Sequence, residues 1–73
     1  MDRVTRADLD RIAATVSEQL PGQRAVEVQG RNGHQAVDLY DGPSIMVDTL
    51  HVGTKREVYT YLQGMRRAQL LAR

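Results

Sequence analysis

Cysteine, tryptophan and phenylalanine are all missing from this 73-residue chain. Without cysteine there is no disulfide framework and no thiolate metal site, and the composition suits a reducing compartment. Aromatic area comes only from Tyr40, Tyr59 and Tyr61. No apolar run approaches the roughly 20 residues that a membrane-spanning helix requires. The polar start Met1-Asp2-Arg3 predicts that no signal peptide is present. A chain of this size buries only about 60% of its unfolded surface. With little to bury and no covalent or metal staple, self-association is one expected remedy. A modestly stable monomer is the other expectation.

The hydrophobic content of 41% and charged content of 26% are those of an ordinary folded domain, so the reading is one small α+β domain over residues 1–73. The net charge of +1 conceals an asymmetry. Residues 54–73 carry Lys55, Arg56, Arg66, Arg67 and Arg73 against Glu57 alone, a net of +4, whereas residues 1–53 set five arginines against eight acids, a net of −3.

Thr5 followed by Asp8 forms a capping-box pattern in which Asp replaces the usual Glu. Leu9, Ile12, Ala13, Val16 and Leu20 then recur at helical spacing as a core stripe, and Pro21-Gly22 ends the helix. Asn32-Gly33 is a type I′ hairpin signal. Centring the turn there sets Val28 against Val37 and Val26 against Leu39 on one face. Ala25, Glu27, Gln29, Ala36, Asp38 and Tyr40 then share the other. This register also opposes Glu27 and Asp38, a repulsive pair unless Arg24 or another cation stands nearby. A longer loop through Gly30 and Arg31 is the competing geometry.

Asp41-Gly42-Pro43-Ser44 reads as a second turn and Ile45 to Val52 as a third strand. Its alternation fails, which predicts a bulge near Asp48-Thr49, unless Ile45-Met46-Val47 is buried on both faces. Gly53 ends the strand, and Thr54 with Glu57 opens a second helix through another capping box. On that helix Val58, Tyr61, Leu62, Met65, Ala68 and Ala72 cluster as a core face. Gly64 lies at its edge, either permitting close packing or weakening the helix. The expected fold is α-β-β-β-α, a three-stranded antiparallel sheet with two helices packed on one face.

The outward side of the second helix carries Lys55, Tyr59, Gln63, Arg66, Leu70 and Arg73, flanked by Arg56 and Arg67. Such a stripe suits phosphate contact, because cations neutralise phosphates while a ring stacks. It suits a protein surface equally. It is also what an ordinary solvated face looks like when late-helix arginines complement the helix dipole. Tyr59 and Leu70 are not the choices of a pure phosphate clamp, so the reading favours a protein, with Lys55, Arg56, Tyr59, Gln63, Arg66 and Leu70 as the partner-binding residues.

Catalytic chemistry finds little footing. His34 and His51 have no i, i+4 partner, so the sequence predicts no metal site. Asp38, Asp48 and His51 can approach across neighbouring strands, though nothing in their spacing requires it. Ser44 lies outside any nucleophile-elbow pattern. Gly30-Arg31-Asn32-Gly33 precedes a strand and not a helix, unlike a phosphate-binding loop. No enzyme activity, cofactor, small-molecule substrate or membrane partner is expected.

The segment Gly53-Thr54-Lys55-Arg56-Glu57-Val58-Tyr59, with Leu62, Gly64 and Met65 beyond it, resembles a group of small proteins encoded by phages of actinobacteria. These end in a similar G-T-K-R-E-V-Y-x-x-L motif. The resemblance covers about a dozen residues at motif level and implies a phage accessory protein of unknown function in the cytoplasm of a bacterial host. In element order the chain is also similar to the double-stranded-RNA-binding domain, which places a Gly-x-(Ser/Thr)-Lys-Lys segment at the start of its second helix to hold phosphates. Gly53, Thr54, Lys55 and Arg56 match that piece. Tyr59 stands where that family has a third basic residue, and Val58 replaces a small alanine. The functional expectation is therefore a non-enzymatic protein-binding module, self-association included, acting through the outer face of the second helix. The alternative is a nucleic-acid-binding domain that uses the basic start of that helix.

Overall fold

Both helices begin at the threonines that the capping pattern singles out in the computed structural model of the chain, which describes residues 3–43 and 45–72. The order is α1 (Arg6–Glu18), β1 (Arg24–Arg31), β2 (His34–Asp41), β3 (Met46–Gly53) and α2 (Lys55–Leu71). At α1, Asp8 N donates to Thr5 Oγ1 (3.2 Å) and Thr5 N donates to Asp8 Oδ2 (2.9 Å). At α2, Glu57 N donates to Thr54 Oγ1 (3.1 Å) and Thr54 N to Glu57 Oε1 (2.8 Å). Each box satisfies two backbone donors that a helix start otherwise leaves orphaned.

The strands form one antiparallel sheet in the order β1-β2-β3. Asn32 (φ 48°) and Gly33 (φ 82°) both adopt the left-handed backbone that a type I′ turn demands. The resulting pairs include Val28 with Val37, Val26 with Leu39 and Glu27 with Asp38, as the two-residue turn predicts. Leu9, Ala13 and Val16 of α1 meet Val26, Val28 and Val37 of the sheet and Val58 and Leu62 of α2 in one buried cluster. Both helices therefore cover the same face.

Three expectations need correction. The core face of α2 does not extend to Ala68 and Ala72, which are exposed. The half-buried Gln69 turns toward α1 instead and donates through Nε2 to the Val16 carbonyl at 2.9 Å. Second, Ile45, Met46 and Val47 are all exposed, so that short apolar run is not buried on both faces. The strand starts at Met46 and is irregular twice, because the β2–β3 pairing skips Leu50 and then Val47. These two bulges bracket the single one expected at Asp48-Thr49. Third, Arg66 and Arg67 stop short of the helix end: among the described residues no basic side chain lies in the last turn of α2. Ser44 and Arg73 lie outside the described residues.

The cation that relieves the Glu27–Asp38 opposition is Arg31, not Arg24, which the register pairs with Asp41 on the other face. Arg31 Nη2 reaches Asp38 Oδ2 at 2.5 Å, and Thr49 Oγ1 donates to Asp38 Oδ1 at 2.8 Å. Asp38 has no exposed surface although it faces away from the helices, and Ala36 beside it is sealed as well. Nη2 also lies 3.9 Å from Met46 Sδ. To touch both Asp38 and Met46, the Arg31 side chain must lie along the sheet, where its stem acts as a lid.

The free edge of β1 is closed by α1. Ser17 Oγ accepts from Val26 N at 2.9 Å and approaches Val26 O at 3.3 Å, while Arg6 Nη2 donates to the Val28 carbonyl. Strand edges left open invite pairing with other chains, and here two side chains occupy the outward groups of β1.

Removing one member of a buried ion pair strands the other charge, at a cost of about 3–5 kcal/mol when both are buried. Arg31 is half exposed, so Arg31→Ala is expected to lower stability by about 2 kcal/mol in urea denaturation. The double change Arg31→Met/Asp38→Val is expected to regain most of that loss. A single variant as stable as the parent would show that the pair carries no weight.

Candidate functional site

The capping box at Thr54 decides where the basic residues of α2 point. With Thr54 and Glu57 tied to one another, Lys55 and Arg56 occupy the first two helical positions and splay from the helix start. Gly53 makes this possible. A Cβ there would stand 2.7 Å from Glu57 Oε1 and 3.1 Å from its Cβ, so any larger residue displaces the carboxylate that completes the cap.

Of the six residues expected to bind a partner, Lys55, Arg56, Gln63 and Leu70 are exposed, while Tyr59 and Arg66 are half-buried. Tyr59 does not stand on an outer face. It packs against the edge of the core cluster and lines the seam between α1 and α2. Three hollows follow that seam and share walls. The first, of about 710 Å³, lies between Arg3, Val4, the β1–β2 turn at Gly33 and the Lys55-Arg56 pair. The second, of about 630 Å³, shares Arg3, Val4 and Arg56 and adds Asp8, Tyr59 and Gln63. The third, of about 550 Å³, runs over Ile12, Gly64, Arg66 and Arg67 and shares Thr60 and Gln63 with the second. The stripe is thus one wall of a groove. Leu70 lies beyond these hollows, and Arg73 is outside the described residues.

Periodicity along α2 could not reveal the opposite wall. Arg3 and Val4 precede α1 and belong to no helical repeat. Only the packing of α1 beside α2 brings them to Arg56. Gly64 was visible in the sequence, and its setting decides between the two roles expected for it. The glycine is exposed, and nothing lies within 4 Å of where its Cβ would stand. Among the described residues no close packing uses it.

Electrostatically the groove is cationic, with one anchored acid, Asp8, in its wall and a second, Glu57, at the start of α2. Asp8 is held below its ordinary value by the Thr5 N–H first, then by the Thr5 side chain and Arg11. Glu57 is held low in the same way by the Thr54 N–H and side chain, with weaker help from His51 and His34. Both acids already serve the helix starts.

The acid–base trio does not assemble. Asp38 is sealed under Arg31 on the helix-free face, Asp48 is exposed, and His51 lies on the helix side. There the His51 ring stacks on Tyr61 with centroids 4.7 Å apart and planes 4° from parallel. Among the described residues no group of three or more metal-ligating side chains lies close enough to hold an ion, and no helix is long and apolar enough to cross a membrane.

The two low carboxyl pKa values set an acid limb. A depressed folded-state pKa contributes stability that is present above the unfolded value and is lost as pH falls through the folded one. Thermal stability should therefore decline once pH drops below the ordinary values of 4.5 for Glu57 and 3.8 for Asp8. The double variant Asp8→Asn/Glu57→Gln should show a flatter acid limb in melts followed by circular dichroism. Gly53→Ala should lower the melting temperature at neutral pH and flatten the same limb. An unchanged limb in both would remove the caps as its cause.

Comparison with protein-family models, with curated proteins and with solved structures finds no match to this chain.

Proposed function

We propose that this chain is a non-enzymatic, phage-type accessory protein that binds a segment of a protein partner in the groove between α1 and α2, within the cytoplasm of a bacterial host. The observation that carries this reading is Gly64. Glycine inside a helix costs about 1 kcal/mol relative to alanine, yet among the described residues no neighbouring atom requires the missing Cβ. The fold gains nothing from it. A glycine lining an open hollow does let another chain's backbone approach closely.

The walls suit an amphipathic segment, most simply a helix laid into the groove. Tyr59 and Ile12 supply apolar contact, Gln63 an amide, and Arg56, Arg66 and Arg67 cations for an acidic flank. Arg66 and Arg67 are not drawn to the helix end, which leaves them on the groove. An enzymatic reading is less well supported, because Asp38 and His51 lie on opposite faces of the sheet. The phage and bacterial setting rests on the Gly53–Met65 resemblance.

A second reading has its own observation. Arg3, Lys55 and Arg56 converge beside Gly33 around one hollow, although they come from opposite ends of the chain. Such a basic corner suits a phosphate backbone. A mobility-shift assay on duplex RNA and DNA at low salt tests it, with binding expected to fall steeply with salt and to vanish in Lys55→Glu/Arg56→Glu. A blank gel removes it.

For the protein reading, Gly64→Ala should raise stability by about 0.5–1 kcal/mol. The bulkier Gly64→Leu should fold but fill the groove. In affinity capture from host lysate, a protein retained by the parent chain should be lost with Gly64→Leu. Equal retention by both would sink the groove as the binding site.

A further inference from the structure

We propose that the helix-free face of the sheet is a dimer interface, on which a second copy of this chain packs face to face about a two-fold axis. The face presents Ala25, Tyr40 and Met46 in one row across the three strands and Gln29, Ala36 and Val52 in another. Met46 and Val52 are 50% and 55% exposed, large values for apolar side chains on a sheet with no layer above it. Between these rows Arg31 lies over Asp38. Arginine, tyrosine and methionine, all present on this face, are among the residue types enriched in protein interfaces.

Charge selects a second copy as the occupant, and size sets how tightly it is held. The molecule is a slab with extents of 34 × 28 × 17 Å. The sheet face itself, three strands of eight residues, spans roughly 14 × 26 Å at ordinary strand spacing and rise, which places a dimer built on it at the small, reversible end of the interface range. Two identical surfaces can meet only if they do not repel. On this face Arg31 neutralises Asp38 in place, and the remaining acid, Glu27, accepts from Gln29 Nε2 at 3.1 Å. The α2 side carries Lys55, Arg56, Arg66 and Arg67, so two copies facing each other there would oppose like charges. Packing by the face is also favoured over pairing by strand edges, because Ser17 and Arg6 occupy the β1 edge and bulges at Val47 and Leu50 distort β3.

Such a pair of sheets would form an aligned sandwich and give a small core the second layer that it lacks. Centrally, Arg31 keeps guanidinium N–H groups beyond the one that meets Asp38, held ready by the buried carboxylate.

Analytical ultracentrifugation of the full chain, from low micromolar to a few hundred micromolar, tests the proposal. The parent should sediment as a monomer–dimer equilibrium. Met46→Glu and Val52→Glu, at exposed positions that leave the fold intact by circular dichroism, should each weaken the dimer about a hundredfold or more. Leu70→Glu on α2 should leave it unchanged. A parent chain that is monomeric throughout overturns the proposal, as does a dimer that survives both sheet-face variants. A dimer dissolved by Leu70→Glu but not by Val52→Glu would place self-association on α2 and overturn it equally.

Discussion

The register of the β1–β2 hairpin is the constraint on which the remaining structure depends. Because side chains alternate between faces, a slip of one residue would carry Val26, Val28 and Val37 out of the core. The Asn32-Gly33 turn prevents that slip by taking two positive φ angles in succession. The same register carries a cost, since it forces Glu27 opposite Asp38 on the other face. Arg31, the residue just before the turn, lies back along the sheet and compensates. One short turn thus determines both which face the helices cover and which charge is buried on the face they leave.

Where sequence and structure agree, the physics is local. A threonine with an acid three residues on describes a closed ring of two hydrogen bonds, and both rings are present at Thr5 and Thr54. The Asn-Gly turn is equally self-contained. Hairpin pairing followed from it by counting alone. Agreement weakens as partners become more distant in the chain. The helical phase of α2 marked a core face through Ala72, yet Ala68 is exposed and its neighbour Gln69 turns to α1 instead, reaching the Val16 carbonyl. The groove needed the same long-range knowledge. Tyr59 has the phase of an outward residue and becomes a wall only because α1 lies beside it.

The irregular β3 shows another limit. Period-two alternation is a statement about an unbroken ladder, and skipping Leu50 and Val47 resets the face twice within eight residues. Thr49 thereby meets Asp38, while His51 reaches Tyr61 on the opposite side. The potential catalytic trio is dispersed by this arrangement. Two surfaces remain, of different character. The helix side is grooved and cationic, and the sheet side is flat and nearly neutral. They suit occupants of different kinds, and because they lie on opposite sides of a thin slab both can be filled at once.

The way Ser17 and Arg6 seal β1 bears on what happens when such chains are crowded together. Growth of a sheet into a fibre needs two competent edges on every unit, one to receive and one to be received. A unit with a single usable edge can join one other and then has nothing left to extend. Two side chains on α1 therefore act as a terminator: even if the bulged β3 edge were to pair with another copy, the chain would stop at a closed pair.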